Sequence, residues 1–237
     1  MDQENNYDTI PYEYVVDSCS GNNQFFRFLS RECHVGRKTL EALQARYLIG
    51  STKDGGIIYW QIDFQSNVRT GKVMHYDEHT GHKLKTGNAI NWIHAILKKK
   101  NLVSQDFILR QCLFGEHLLY SDPPEKTVAL VEAEKTALLG TILFPNYTWV
   151  SVGGKENLNA NKVAALTNRN VVVFPDADAY GAWKEAAKHL FVCRRVMISD
   201  LLERTVTQKE REEKIDIGDV MIEYLQKKIP VDDETPF

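Results

Sequence analysis

Asp176 and Asp178, in the run Asp-Ala-Asp-Ala-Tyr-Gly, are the sharpest chemical signal in this 237-residue chain. In an extended chain, residues i and i+2 point the same way, so the two carboxylates can aim at one place. Carboxylates so close repel and raise each other's pKa, and a divalent cation removes that cost. Mg²⁺ takes one or two protein carboxylates and fills its octahedron with water and phosphate oxygens, which suits phosphoryl or nucleotidyl transfer. Pro175 cannot donate to a sheet ladder and marks a strand's end. Gly181 would let the chain turn closely into the next helix. Three more features stand at comparable places: Glu132 after the run TVALV, Gly153 and Gly154 after YTWVSV as a structural turn, and Asp216 and Asp219 opening the last helix. A lone Asp-x-Asp is common, and acids at helix starts often only satisfy the dipole. It is their succession after strands that points to a metal site.

The elements that must position these residues alternate regularly. TVALV, YTWVSV, NVVVF and RRVMIS are short apolar strands, and residues 133–144, 159–166, 179–191 and 217–228 carry helical patterns. Such alternation predicts βα units on a parallel four-stranded sheet, where ligands bind beyond the carboxyl ends of the strands. Upstream, Ile58, Trp60, Ile62 and Phe64 alternate with Tyr59, Gln61 and Asp63, predicting a half-buried strand. Gln65-Ser66-Asn67 turns the chain into a second strand, VRTGKVMHYD, and the two form a hairpin. Residues 39–47 read as a helix capped by Thr39, and residues 88–100 as a helix ending in three lysines. Trp60 and Trp92 fall on apolar faces and are expected in the core. The prolines of Ser121-Asp122-Pro123-Pro124 divide an α+β region, residues 1–122, from an α/β domain, residues 123–237.

Composition excludes several classes. The chain is 43% hydrophobic and 26% charged, and no apolar run approaches the length of a membrane span. The polar start MDQENNYDTI is no secretory signal, so a cytoplasmic protein is expected. Cys19, Cys33, Cys112 and Cys193 are scattered without a CxxC pair, which fits free thiols rather than disulfides or a zinc ribbon. His75, His79 and His82 read as a solvated loop. The net charge of −3 argues against indiscriminate nucleic-acid binding, but residues 53–110 carry nine Lys or Arg against five Asp or Glu. Arg69, Lys72, Lys83 and Lys85 in that segment, with His117 and Lys155, are the candidates for contacting phosphate.

As a set, these motifs resemble the TOPRIM domain shared by bacterial primases, topoisomerases and some nucleases. The matching features are a strand ending in Val-Glu, a Gly-Gly after the next strand, and then DxDxxG. Within that group the chain resembles the bacterial primase catalytic core. GIIYWQIDFQSNVRTGKVMHYD is similar to its β-hairpin, and Leu113-Phe114-Gly115 to its Leu-Tyr-Gly segment, so the resemblance covers about residues 55–221. The chain also resembles TOPRIM-type proteins associated with bacterial mobile elements. Carried over, the resemblance makes Glu132 a general acid/base or ion-organising group and Asp176 and Asp178 the metal pair. Asp216 or Asp219 would complete the site. Ala133 replaces the glycine of Val-Glu-Gly, and Thr136 stands where the family has an aspartate.

The resemblance implies Mg²⁺, with Mn²⁺ as an alternative, nucleoside triphosphates and single-stranded DNA. It also implies a helicase or a separate zinc-ribbon subunit as partner, and primase-like nucleotidyl transfer in the replication of a mobile element. A TOPRIM nuclease and a non-catalytic nucleic-acid-binding or adaptor module are the alternatives.

Overall fold

The computed structural model describes residues 7–84, 90–154, 157–176, 180–205 and 216–227. The described residues form two compact units, divided between Cys112 and Leu113. The division falls ahead of the Pro123-Pro124 turn, because Leu113 is already part of the second unit's apolar core.

The first unit contains helices α1 (Glu13–Ser18), α2 (Gln24–Arg31) and α3 (Arg37–Tyr47). Strands β1 (Gly50–Ser51), β2 (Ile57–Ile62), β3 (Val68–Met74) and β4 (Ile90–Trp92) follow, and then α4 (Ile93–Lys99). The strands form an antiparallel sheet in the order β1-β2-β3-β4, so the expected hairpin is present as β2–β3. The alternation in β2 does separate two faces, but both are covered and all six of its residues are buried. On one face Ile58, Trp60 and Ile62 pack with Val15 of α1 and Leu97 of α4. On the other, the Tyr59 hydroxyl lies 3.1 Å from that of Tyr76, whose ring centroid is 4.9 Å from Phe25 of α2. The half-buried strand is thereby corrected, since helices flank this sheet on both sides.

Two helix boundaries also differ. The helix expected at Thr39 begins at Arg37 behind Gly36, so Thr39 is interior and caps nothing. Residues expected to open the next helix instead extend the sheet. Ile90, Asn91 and Trp92 pair with Met74, Val73 and Lys72, which delays α4 to Ile93.

The second unit begins with α5 (Leu118–Ser121) and continues β5 (Val128–Val131), α6 (Glu134–Leu143), β6 (Thr148–Ser151), α7 (Ala160–Ala164) and β7 (Asn170–Val173). It closes with α8 (Tyr180–Ala186), a 3₁₀ turn (Ala187–His189), β8 (Arg195–Ile198), α9 (Leu201–Thr205) and α10 (Ile217–Lys227). All pairings among these strands are parallel and their order is β6-β5-β7-β8, as expected of βα units. One face packs Val128, Leu130, Val171 and Val173 against Val163 of α7 and Trp183 of α8. α6 lies against β6, where its Gly140 meets the ring of Trp149: a Cβ added there would lie 2.4 Å from that ring. α10 packs on α6.

Among the described residues, no helix is long and apolar enough to cross a membrane.

Candidate functional site

The strand order decides which side chains can meet. From β5 the chain moves to β6 on one side, then crosses back over β5 to β7 and on to β8. The connections after β5 and β7 therefore leave in opposite directions, and the crevice between their carboxyl ends is the topological switch point where open α/β sheets bind ligands. Glu132 directly follows β5, and Asp176 follows β7 after Phe174 and Pro175. Strand-end hydrogen bonds hold both segments: Gly153 N–H donates to Glu132 O at 2.9 Å, and Phe174 N–H to Leu130 O at 2.9 Å. Glu132 and Asp176 are both half-buried. Asp178, Lys155 and Lys85 lie outside the described residues.

Gly153 and Gly154 leave β6 with φ of 78° and 154°, a backbone course that favours glycine. Gly181 is the second residue of α8, and a Cβ there would meet nothing within 4 Å.

Asp216 and Asp219 are brought to the first turn of α6, where they hold Lys135. The Lys135 ammonium lies 2.8 Å from Asp219 Oδ1 and 3.5 Å from Asp216 Oδ2. The two aspartates also cap α10 reciprocally: Asp219 N–H donates to Asp216 Oδ1 at 2.8 Å, and Asp216 N–H to Asp219 Oδ2 at 3.2 Å. Burial disfavours the Lys135 ammonium, but the two carboxylates outweigh it and hold its pKa above the ordinary lysine value. Burial raises the Asp216 carboxyl above its ordinary value, with Lys135 pulling against it. Thr136 is buried, and its Oγ1 would be 2.7 Å from a Cβ at Gly218 of α10. That residue thus serves helix packing.

The Leu113-Phe114-Gly115 segment pairs antiparallel with the end of β6 through Phe114 and Ser151, with N–H to O distances of 3.0 and 3.1 Å. It runs from the carboxyl toward the amino end of that strand, where Asp122 accepts from the Thr148 hydroxyl at 2.6 Å. His117 is half-buried on this descending stretch, immediately before α5.

The expected phosphate contacts divide. Arg69 is buried on Asp63, with NH2 2.6 Å and Nε 2.8 Å from Oδ2, and its guanidinium stacks 3.3 Å from the centroid of Tyr7. Lys72 is buried as well, whereas Lys83 is exposed. Alternation in β3 could not reveal this, because both faces of its sheet are covered.

Sequence reasoning missed two cations. Lys135 sits in a helix's first turn, where a basic residue signals an acidic neighbour from elsewhere. Lys162 of α7 is fully buried, and its ammonium donates to Val152 O at 2.6 Å, just ahead of Gly153. Its only signal was a lysine directly before the apolar Val163 and three residues after Asn159, whose side chain caps α7. Among the described residues, no three His, Cys, Asp or Glu side chains form a metal cluster.

A family model described as a domain of unknown function (DUF6371) matches residues 23–177. No curated protein matches the chain. Among solved structures, the chain is similar to the DnaG catalytic core, with a TM-score of 0.52 at 14% identity, covering 85% of this chain and 76% of that one. It is also similar to the primase fragment of the bacteriophage T7 primase-helicase protein, with a TM-score of 0.41 at 17% identity and coverages of 73% and 70%. The E. coli primase catalytic core gives a TM-score of 0.41 at 15% identity and coverages of 91% and 74%. The first of these likenesses shows a shared fold: a parallel four-stranded sheet flanked by helices, preceded by an antiparallel hairpin sheet.

Proposed function

This chain belongs to the family described as a domain of unknown function (DUF6371), and we propose that it is a Mg²⁺-dependent, primase-like nucleic-acid enzyme that transfers nucleotides in the replication of a mobile element. The observation that carries the proposal is the placement of Glu132 and Asp176 after the two strands that flank the switch point. In this reading the second half of the chain is a TOPRIM domain. Asp176 and Asp178 hold the ion, and Glu132 organises it or moves a proton. The donor types fit: carboxylate oxygens are the hard ligands that Mg²⁺ and Mn²⁺ select. When bound, the ion would supply Lewis-acid stabilisation of charge on phosphoryl oxygens.

The protein's own groups do the rest. Asp176 and Asp178 would hold that ion beside the phosphate-bearing substrate. A Glu132 carboxylate oxygen can accept the proton of an attacking 3′-hydroxyl. Gly153 and Gly154 leave backbone open to a close phosphate, with Lys155 following, and the Lys162 ammonium fixes the carbonyl that leads into this loop. His117 and the exposed Lys83 are further phosphate contacts, joined by Lys85, while Arg69 and Lys72 support the hairpin from inside. Nucleoside triphosphates and single-stranded DNA are the substrates, and a helicase or separate zinc-ribbon subunit is the partner.

One observation favours a second reading, an adaptor with a degenerate site: Thr136 is taken up in packing against α10 and offers no carboxylate. Incubation with single-stranded template, nucleoside triphosphates and Mg²⁺ should yield short primers. Cleavage of labelled nucleic acid without synthesis would make the chain a nuclease, and neither product would leave the adaptor.

A further inference from the structure

We infer that the Lys135 ammonium takes the place of a second divalent cation, so that the acidic edge of this sheet holds a single ion. The inference rests on the proposed metal site at Glu132, Asp176 and Asp178 and limits its stoichiometry. Lys135 stands second in α6, at the positive end of the helix, where a cation is disfavoured on its own. It is retained there between two carboxylates whose four oxygens are all engaged. Asp216 Oδ1 and Asp219 Oδ2 accept the reciprocal backbone N–H groups. Asp216 Oδ2 and Asp219 Oδ1 face the ammonium. A divalent ion could use that pair only by expelling the lysine, whose side chain is 13% exposed.

Two neighbours fit this arrangement. Gly218 carries no side chain to push α10 away: a Cβ there would lie 2.7 Å from Thr136 Oγ1 and 2.8 Å from Asp216 Oδ1. Thr136 is neutral, so it adds no carboxylate to the two that hold the ammonium. One fixed positive charge then balances half of the pair's charge without a metal, and a second Mg²⁺ would have to displace it.

Counting Mn²⁺ by calorimetry and by electron paramagnetic resonance of the full chain tests this. The wild type should bind one ion, and Lys135→Met should bind a second. In a chain carrying Asp176→Asn and Asp178→Asn, which should bind none, adding Lys135→Met should create one site, and adding Asp219→Asn should remove it again. Two ions in the wild type, or no new ion in either Lys135→Met chain, would overturn the inference. Zero ions in the wild type together with one in the triple variant would sink the proposed catalytic site and still support the role of Lys135. If Lys135→Met does not fold without metal, Asp219→Asn in the wild-type background decides. Mn²⁺ affinity within twofold of wild type supports the lysine as occupant, and a tenfold or greater weakening makes Asp219 a metal ligand and overturns it.

Discussion

Asp63 closes the β2–β3 hairpin in the first unit, while Glu132 and Asp176 end β5 and β7 in the second. All three are acids at the end of a strand, yet the chain leaves the strand differently after each kind. Asp63 accepts from Gln65 N–H at 2.9 Å, Asn67 N–H at 2.8 Å, the Asn67 amide at 3.1 Å, and the Arg69 guanidinium. An antiparallel hairpin folds the chain straight back, so the following residues bring their own donors to the acid. A parallel strand sends its chain away into a helix, and the partner strand arrives from distant sequence. Acids at parallel strand ends are therefore set toward a common crevice, and an acid at a hairpin turn is consumed where it stands.

The contrast breaks most visibly at the second unit's acids. Asp176→Asn with Asp178→Asn should keep the fold and abolish both product formation and the rise in melting temperature that Mg²⁺ produces by mass action. Nucleic-acid affinity measured in EDTA should survive. A wild-type chain that shows no Mg²⁺ or Mn²⁺ stabilisation at millimolar concentration, with or without nucleotide, would reduce these aspartates to structural groups.

In the first unit the expected loss is one of stability. Asp63→Ala strands a buried guanidinium and several turn N–H groups, and should cost about 3–5 kcal/mol in urea denaturation. Replacing Arg69 by Met in the same chain should recover part of that. If Asp63→Ala costs less than about 1 kcal/mol, as an exposed pair would, the hairpin acid is not the closed unit described here.

Packing around the parallel sheet is open to a third test. Gly140→Ala places a methyl carbon within 2.4–2.6 Å of three atoms of the Trp149 ring. The overpacking should cost about 1–3 kcal/mol and outweigh the gain in helix propensity. A higher melting temperature for this variant would show that α6 and β6 can separate freely.

The smallest expected effect is a pH dependence confined to the first unit. Burial lowers the pKa of His94, with Lys98 adding to the shift, and its Nδ1 lies 2.8 Å from the Thr70 hydroxyl. A base with a depressed folded pKa leaves the unfolded chain to bind the proton first. The contribution of His94 is therefore complete above its ordinary value of 6.5 and declines as pH falls below it. His94→Gln should flatten that part of the stability profile, and an unchanged slope would assign it to other groups.

Particular residues show how far local pattern reached. Val128, Val150, Val171 and Val196 lie in runs whose apolar character and length marked four strands, and each is in the sheet. Ile90, by contrast, carried a helical spacing and became a strand, because Met74 of β3 offered it a partner. Arg69 and Lys72 looked like surface cations, since charge says nothing about whether a second layer will cover it. Asp216 and Asp219 were legible as a helix start and as acids, but their cation was not.

The sequence by itself determined the α/β alternation, the hairpin, and the acids and glycines that follow the strands. These depend on periods of 2.0 and 3.6 residues and on turn chemistry, which act between near neighbours. Only the tertiary structure decided that β7 lies beside β5, so that Glu132 and Asp176 follow neighbouring strands at the same end of the sheet. It likewise decided that Lys135 meets Asp219 across 84 positions, and that Arg69 closes on Asp63 inside a covered sheet. Strand order and burial arise from contacts between distant segments, and no single segment carries the free energy that selects them.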